Sequence, residues 1–210
     1  MYVSVCSLPP SKHSRLALLL PGLLLLAACA SQRGVDLPDI SEWDQRVRVL
    51  SAVETYDFNG RVAVKAGAEG FNGKLRWQQE AENRFQASVS GPLGIGTVRL
   101  AGDGTSVSVT DKDGVETRLD DVETDLYLRY GWTIPVESLR FWALGIPDPR
   151  VPAVTEFSAA GELVRLVQRG WTVEIGRYQE TSGGQQMPSR LSAQNPETSV
   201  RLVIDRWVFH

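Results

Sequence analysis

A mainly β fold with short α-helices follows from three features of this 210-residue sequence. Apolar and polar residues alternate over most of its length, turn chemistry recurs between the alternating runs, and helical spacing replaces the alternation in only a few short stretches. Period two gives each strand one apolar and one polar face, so successive hairpins build an antiparallel sheet with one face in water. The pattern predicts about eleven strands and about three helices. A sheet of that size curls. The expected architecture is a curved antiparallel half-barrel that encloses an apolar cavity and is covered by the helices.

Each element has its own signal. Trp43, Val47 and Leu50 recur at spacings of four and three, which predicts a short helix from Ser41 with Asp39 or Ser41 as its cap. Period two then takes over in Tyr56, Phe58, Gly60, Val62 and Val64, in Phe71, Gly73, Leu75 and Trp77, and in Phe85, Ala87 and Val89. After the Gly91-Pro92-Leu93-Gly94 turn it resumes with Gly96, Val98 and Leu100, then Val107 and Val109, then Val115, Thr117 and Leu119. Gly102-Asp103-Gly104 and Asp113-Gly114 supply the intervening turns. Between Asp120 and Gly145 the alternation fails. Two short helices fit there, one through Val122, Leu126 and Tyr130, the other through Val136, Leu139, Trp142 and Ala143, with Pro135 at a first helical position and Gly145 as C-terminal cap. Strands return at Val154 to Phe157, Leu163 to Gln168, Trp171 to Tyr178, Ser189 to Ala193 and Ser199 to Trp207, broken at Gly161, Gly170 and Gly183-Gly184. No repeat of fixed spacing is present, so the sheet grows by successive hairpins and not by tandem modules.

The N-terminus has a different grammar. Lys12, His13 and Arg15 precede an apolar run from Leu16 to Leu26, and the small residues Ala27 and Ala28 lead to Cys29. That order is an export signal. The run is about a dozen residues, interrupted by Pro21 and Gly22, against the roughly 20 that a spanning helix needs. Leu26-Ala27-Ala28-Cys29 resembles the lipobox of bacterial lipoproteins: small residues suit a protease subsite, and the thiol accepts a diacylglyceryl group. The expectation is cleavage before Cys29, covalent lipid on that cysteine and acyl chains as anchor. Each buried methylene contributes about 0.8 kcal/mol, and stable anchoring takes more than one chain. Residues 1–28 are then a signal peptide, 29–38 the lipidated N-terminus and a polar, proline-ended linker, and 39–210 one domain.

Composition narrows the function. Of the 22 basic residues the signal removes Lys12 and Arg15, leaving 20 against 25 acidic, a formal charge of −5. Nothing here asks for nucleic acid. Beyond Cys6 in the signal, Cys29 is the one cysteine, so no internal disulfide is expected, and His210 is the one histidine past residue 13. Metal clusters and nucleophilic triads are thereby excluded, and no catalytic residue and no cofactor beyond the lipid on Cys29 is expected. A carboxylate pair such as Glu116 and Asp120 leaves one route to hydrolysis, against the commoner fate of such residues as a solvated face. The glycines at 94, 96, 102 and 104 lack the spacing of a phosphate loop.

The informative residues are apolar. A curved sheet with only three short helices to cover it leaves part of its apolar face unfilled, which predicts a pocket. Trp77, Phe85, Val89, Leu139 and Trp142 are the candidate liners or lid contacts, with plain core filling as the alternative for each. Leu93, held between Pro92 and Gly94 in a turn, either folds back on the rim or projects an apolar tip towards the bilayer to which the chain is tethered.

These residues resemble the LolB family of outer-membrane lipoprotein receptors. The matching segments are Trp43 with its helix, Asn59-Gly60-Arg61-Val62, Leu75-Arg76-Trp77-Gln78-Gln79, Gly91-Pro92-Leu93-Gly94, and Ile134-Pro135-Val136-Glu137-Ser138-Leu139-Arg140 with Trp142. Gly145-Ile146-Pro147, Gln168 with Gly170-Trp171, Tyr178, Met187-Pro188 and Asp205-Arg206-Trp207 continue the match in order to the end. The resemblance implies a half-barrel with a helical lid that takes the acyl chains of client lipoproteins from the periplasmic carrier LolA and releases them into the inner leaflet of the outer membrane. It also implies that Leu93 serves that release. Ala30 after the lipidated cysteine, in place of an aspartate, fits outer-membrane sorting, and a monomer is expected. The alternative is a lipocalin-like or envelope-assembly lipoprotein that binds another hydrophobic ligand, which would have no use for an apolar tip beside the membrane.

Overall fold

In the computed structural model the described residues are 34–91, 96–103, 105–131 and 133–210. The expectations for the signal segment, for Cys29 and for Pro92, Leu93 and Gly94 lie outside them. The elements run α1 (Trp43–Ser51), β1 (Tyr56–Ala66), β2 (Glu69–Gln79), β3 (Arg84–Ser90), β4 (Val98–Asp103), β5 (Val107–Thr110), β6 (Glu116–Leu119), α2 (Val122–Tyr130), α3 (Val136–Ala143), β7 (Val154–Phe157), β8 (Leu163–Gln168), β9 (Trp171–Glu180), β10 (Gln186–Gln194) and β11 (Thr198–Phe209). Among the described residues this makes eleven strands in one antiparallel sheet, in the order β6-β5-β4-β3-β2-β1-β11-β10-β9-β8-β7.

Two hairpin meanders, β1 to β6 and β7 to β11, therefore meet along one seam. There β1 and β11 pair over their whole length, from Tyr56 opposite Phe209 to Ala66 opposite Thr198, with a bulge at Asn59 and Gly60. Gly60 is required at that bulge, because a Cβ on it would overlap the Val203 carbonyl oxygen. The alternation appears in the burial: Tyr56, Phe58, Gly60, Val62, Val64 and Ala66 face inward from β1, with Asp57, Asn59, Arg61, Ala63 and Lys65 between them. One core of these inward residues spans both meanders and includes Trp77, Trp142, Trp171 and Trp207.

The helices differ from expectation in their caps. Neither Asp39 nor Ser41 caps α1. Glu42 holds that position without a side-chain bond, and the Asp39 carboxylate instead accepts from the Ser41 N–H at 2.9 Å, one turn too early. In α2 the Asp121 side chain accepts from the Thr124 N–H at 3.1 Å, the expected use of an aspartate at this site. Pro135 is the N-cap of α3, one residue before the first helical position. Gly145, at φ +75°, ends α3 in a Schellman turn: its N–H donates to the Trp142 carbonyl and that of Ile146 to the Phe141 carbonyl. Gly102 is not a turn residue. It lies in β4 opposite Phe85, where a Cβ would overlap the phenyl ring. The described part of the expected linker is held against the domain, since Val35 donates to the Phe209 carbonyl at 2.7 Å and Gln185 to the Leu37 carbonyl at 2.9 Å.

Candidate functional site

The inward residues of β1 to β5 and β11 do not all meet other side chains. Between them and the two central helices lies a pocket with about 1050 Å³ of space, counting its open mouth. As a cavity volume it is about 160 Å³, below the range of ordinary ligand cavities. From the sheet come Phe58, Val62, Leu75, Trp77, Val89 and Leu100, among others, and from above Leu126 of α2 and Ile134. Val136, Leu139, Arg140 and Ala143 close it from α3. That set is spaced i, i+3, i+4 and i+7, one face of a helix. Apart from Asp111 and Arg140 the lining is apolar.

The five residues singled out from the sequence separate here. Trp77, Val89 and Leu139 line the pocket. Trp77 stacks between Phe58, at 5.9 Å, and Phe85, at 4.8 Å, and so forms its floor. Phe85 lies behind it, in a more polar recess shared with Asn83, Arg140 and Arg150. Trp142 does not line the pocket: it is fully buried against Trp171 of β9, and its indole N–H donates to Gln168 Oε1 of β8 at 2.8 Å. Glu116 and Asp120 are both exposed on the outside of the domain and do not converge on a cleft. Among the described residues no group of acidic residues, histidine or cysteine could hold a metal, and no helix is long and apolar enough to cross a membrane.

What anchors α3 was invisible in the alternation. Gln168 of β8 uses its whole amide: the oxygen accepts from Trp142 and from the Asp148 N–H at 3.0 Å, and the nitrogen donates to the Asp148 and Val151 carbonyls at 2.9 and 2.6 Å. The buried Asp148 carboxylate accepts from Ser138 Oγ at 2.8 Å and from the Arg150 guanidinium at 2.9 and 2.8 Å. Arg150 also reaches Glu137 at 2.7 Å. Burial raises the Asp148 pKa, but the Arg150 and Ser138 hydrogen bonds outweigh it and hold the group below its ordinary 3.8. At the far end of α3, buried Arg46 of α1 donates to the Leu144 and Gln186 carbonyls at 3.2 and 2.8 Å and lies 5.4 Å from the Tyr178 ring centroid. Burial pushes the Tyr178 phenol up to about 12.

A depressed carboxylate pKa means that the ion stabilises the fold above its unfolded value and loses that contribution as the pH falls through the folded one. Asp148→Asn is therefore expected to cost about 1–3 kcal/mol at neutral pH, with the difference from wild type shrinking below pH 3.8. Urea unfolding at several pH values measures it; a difference that stays constant into acid would remove the charge from the account.

Under the pocket face of α3 two donors, Trp77 Nε1 and Arg140 Nε, are buried with no acceptor among the described residues. Burial lowers the Arg140 pKa, and the guanidinium keeps one bond to Asn83 Oδ1 at 2.8 Å. Each orphaned donor costs about 1–3 kcal/mol. Arg46 Nε is likewise without a partner among the described residues, so the two sides of α3 differ chiefly in the Gln168 and Asp148 network, which the pocket side lacks.

Comparison with known proteins adds three findings. The family model described as outer membrane lipoprotein LolB matches residues 54–207. Outer-membrane lipoprotein LolB of Nitrosococcus oceani is 33% identical over 199 residues, covering 93% of this chain and 98% of that one; that of Alkalilimnicola ehrlichii is 34% identical over 195 residues, covering 90% and 96%. Among solved structures a LolA superfamily protein from Nitrosomonas europaea superposes with a TM-score of 0.50 at 9% identity, covering 76% of this chain and 87% of that one, a likeness of fold alone.

Proposed function

The chain belongs to the family of the outer-membrane lipoprotein LolB, and from that premise we propose how its geometry does the family's work. It is a lipid-anchored outer-membrane lipoprotein that receives lipoproteins from LolA for outer-membrane insertion, a sorting receptor and not an enzyme. In the proposed mechanism the sheet is a half-barrel and the acyl chains of the client occupy the pocket beneath α2 and α3. The observation that carries this reading is the pocket's lining, apolar apart from Asp111 and Arg140, which suits ligands whose common feature is the lipid.

Entry displaces α3 on its pocket side, where the Gln168 and Asp148 network is absent, while those two residues and Arg46 hold the helix elsewhere. No nucleotide is needed. Direction comes from affinity that rises from carrier to receptor to membrane, each tenfold step being about 1.4 kcal/mol. The protein works as a periplasm-facing monomer, tethered through diacylglycerol on Cys29 after loss of residues 1–28. Mass spectrometry of the mature N-terminus is expected to find that lipid, and an unmodified, processed Cys29 would refute the tether. Leu93 is the apolar tip that enters the inner leaflet when the client is released.

The mature chain with Cys29→Ala tests the transfer step. Mixed with LolA carrying a lipoprotein and recovered by pull-down, it is expected to hold the client without added nucleotide. A client that stays on LolA at all receptor concentrations would overturn the proposal.

A further inference from the structure

The face of the sheet opposite the pocket concentrates positive charge. Outward positions on β1, β2 and β4 bring Arg61, Lys74, Arg76 and Arg99 around one open depression with Ser88 and Ser90. All four cations are exposed. Arg61 stands directly opposite Lys74, an arrangement of like charges that destabilises a strand pair. Arg76 and Arg99 flank Ser88 on either side, two strand spacings or roughly 10 Å apart.

Neutralisation within the chain is slight. Asp205 is the carboxylate of the depression, and it pairs with Arg61 at 3.3 Å. Other carboxylates on this face, Asp57, Glu80 and Asp103, lie at the far strand ends, turned to His210, to Arg84 and Gln86, and to Thr105 and Ser106, and Glu116 of β6 stands two strands from Arg99 across Thr110. Among the described residues no carboxylate forms an ion pair with Lys74, Arg76 or Arg99, in a chain whose mature charge is negative.

Position in the fold favours one partner. Lys74 is paired with Ser90, the last residue of β3, and Arg99 is the second residue of β4. Both cations therefore sit within about 7 Å of the strand ends that lead to residues 91–97. A lipid-anchored chain is never far from a phospholipid surface, and at that range the attraction of a cation to anionic headgroups is not screened away at physiological salt.

We propose that Lys74, Arg76 and Arg99, with Arg61 beside them, form a docking surface for anionic phospholipid headgroups. Docking lays the β3–β4 end of the sheet on the membrane while the pocket face stays free. The surface goes beyond the acyl-pocket reading and requires no client in the pocket.

The test uses the mature chain with Cys29→Ala, in which the described domain at residues 34–210 forms a compact unit by itself. Cosedimentation with vesicles of phosphatidylcholine alone is compared with vesicles that also contain phosphatidylglycerol. Binding is expected only with the anionic lipid, to weaken about tenfold or more in the triple variant Lys74→Glu, Arg76→Glu, Arg99→Glu, and to vanish for both proteins at high salt. The control triple Arg165→Glu, Arg177→Glu, Arg190→Glu makes the same change of charge on exposed positions of β8 to β10, and should retain most of the binding. Uptake of a fluorescent fatty acid should be unchanged in both triples, which keeps this test separate from that of the pocket. Equal loss in the two triples, no preference for anionic vesicles, or a Lys74, Arg76, Arg99 variant that binds vesicles normally but fails to retain LolA would each overturn the proposal, the last by assigning the surface to the carrier.

Discussion

Leu93→Glu is expected to accept a lipoprotein from LolA at the wild-type level and to insert it into liposomes at least about tenfold more slowly. The substitution places a carboxylate where an apolar tip would enter hydrocarbon, and taking an ionised group out of water costs several kcal/mol; even 1.4 kcal/mol of that is a factor of ten. With Leu93 projecting from the domain as proposed, fold stability should change by only about half a kcal/mol, which circular dichroism checks. The two steps are measured separately, by pull-down of the client on the receptor and by its recovery in floated liposomes. Loss of both steps in a folded variant would mean that Leu93 serves docking or packing. Normal insertion would mean that the turn is only a turn.

Leu139→Asp is expected to do the reverse and stop the reaction at its first step. Leu139 lies on the pocket face of α3 and lines the apolar lumen, yet it is only half-buried, so a polar replacement can fold. An acyl chain then has to desolvate a carboxylate or leave part of the pocket wet. A penalty of about 3 kcal/mol weakens binding roughly a hundredfold. Fluorescent fatty-acid titration of the Cys29→Ala background reads this directly, with Leu139→Met retaining affinity as the volume-conserving control. Unchanged affinity for Leu139→Asp would place the acyl chains elsewhere. Together the two variants separate loading from release: one protein fills and does not empty, the other does not fill.

Much of this was legible in the sequence because it is written locally. Tyr56, Phe58, Val62 and Val64 announce a half-buried strand by parity alone, and the structure places them on one face of β1. The same parity could have extended the pocket candidates to Val62, Leu75 and Leu100, which share the signal that marked Trp77 and Val89. Capping was legible only to within a residue or two, since Asp39, Ser41 and Pro135 all carry cap chemistry and which of them meets a helix start depends on where packing begins the helix. Arg46 and Asp148 gave no signal, and Gln168 none beyond its place among the family-matching residues. A buried polar residue looks like a surface one until its partners, 20 residues away for Gln168 and Asp148, are brought beside it.

The sequence by itself determined the class of fold, the inward and outward faces of its strands, the short helices between Asp120 and Gly145, and the family, because periodicity, turn chemistry and ordered motifs are properties of neighbouring residues. Only the tertiary structure decided the rest. It joined the two meanders by pairing Tyr56 with Phe209 and Ala66 with Thr198. It buried Trp142 against β8 and β9 and left Leu139, one turn before it on α3, over a lumen. It gathered Arg61, Lys74, Arg76 and Arg99 from three strands into one depression. Each outcome depends on distances between residues far apart in the chain. Whether an inward side chain fills space or borders it is set by what packs opposite, which no local pattern records.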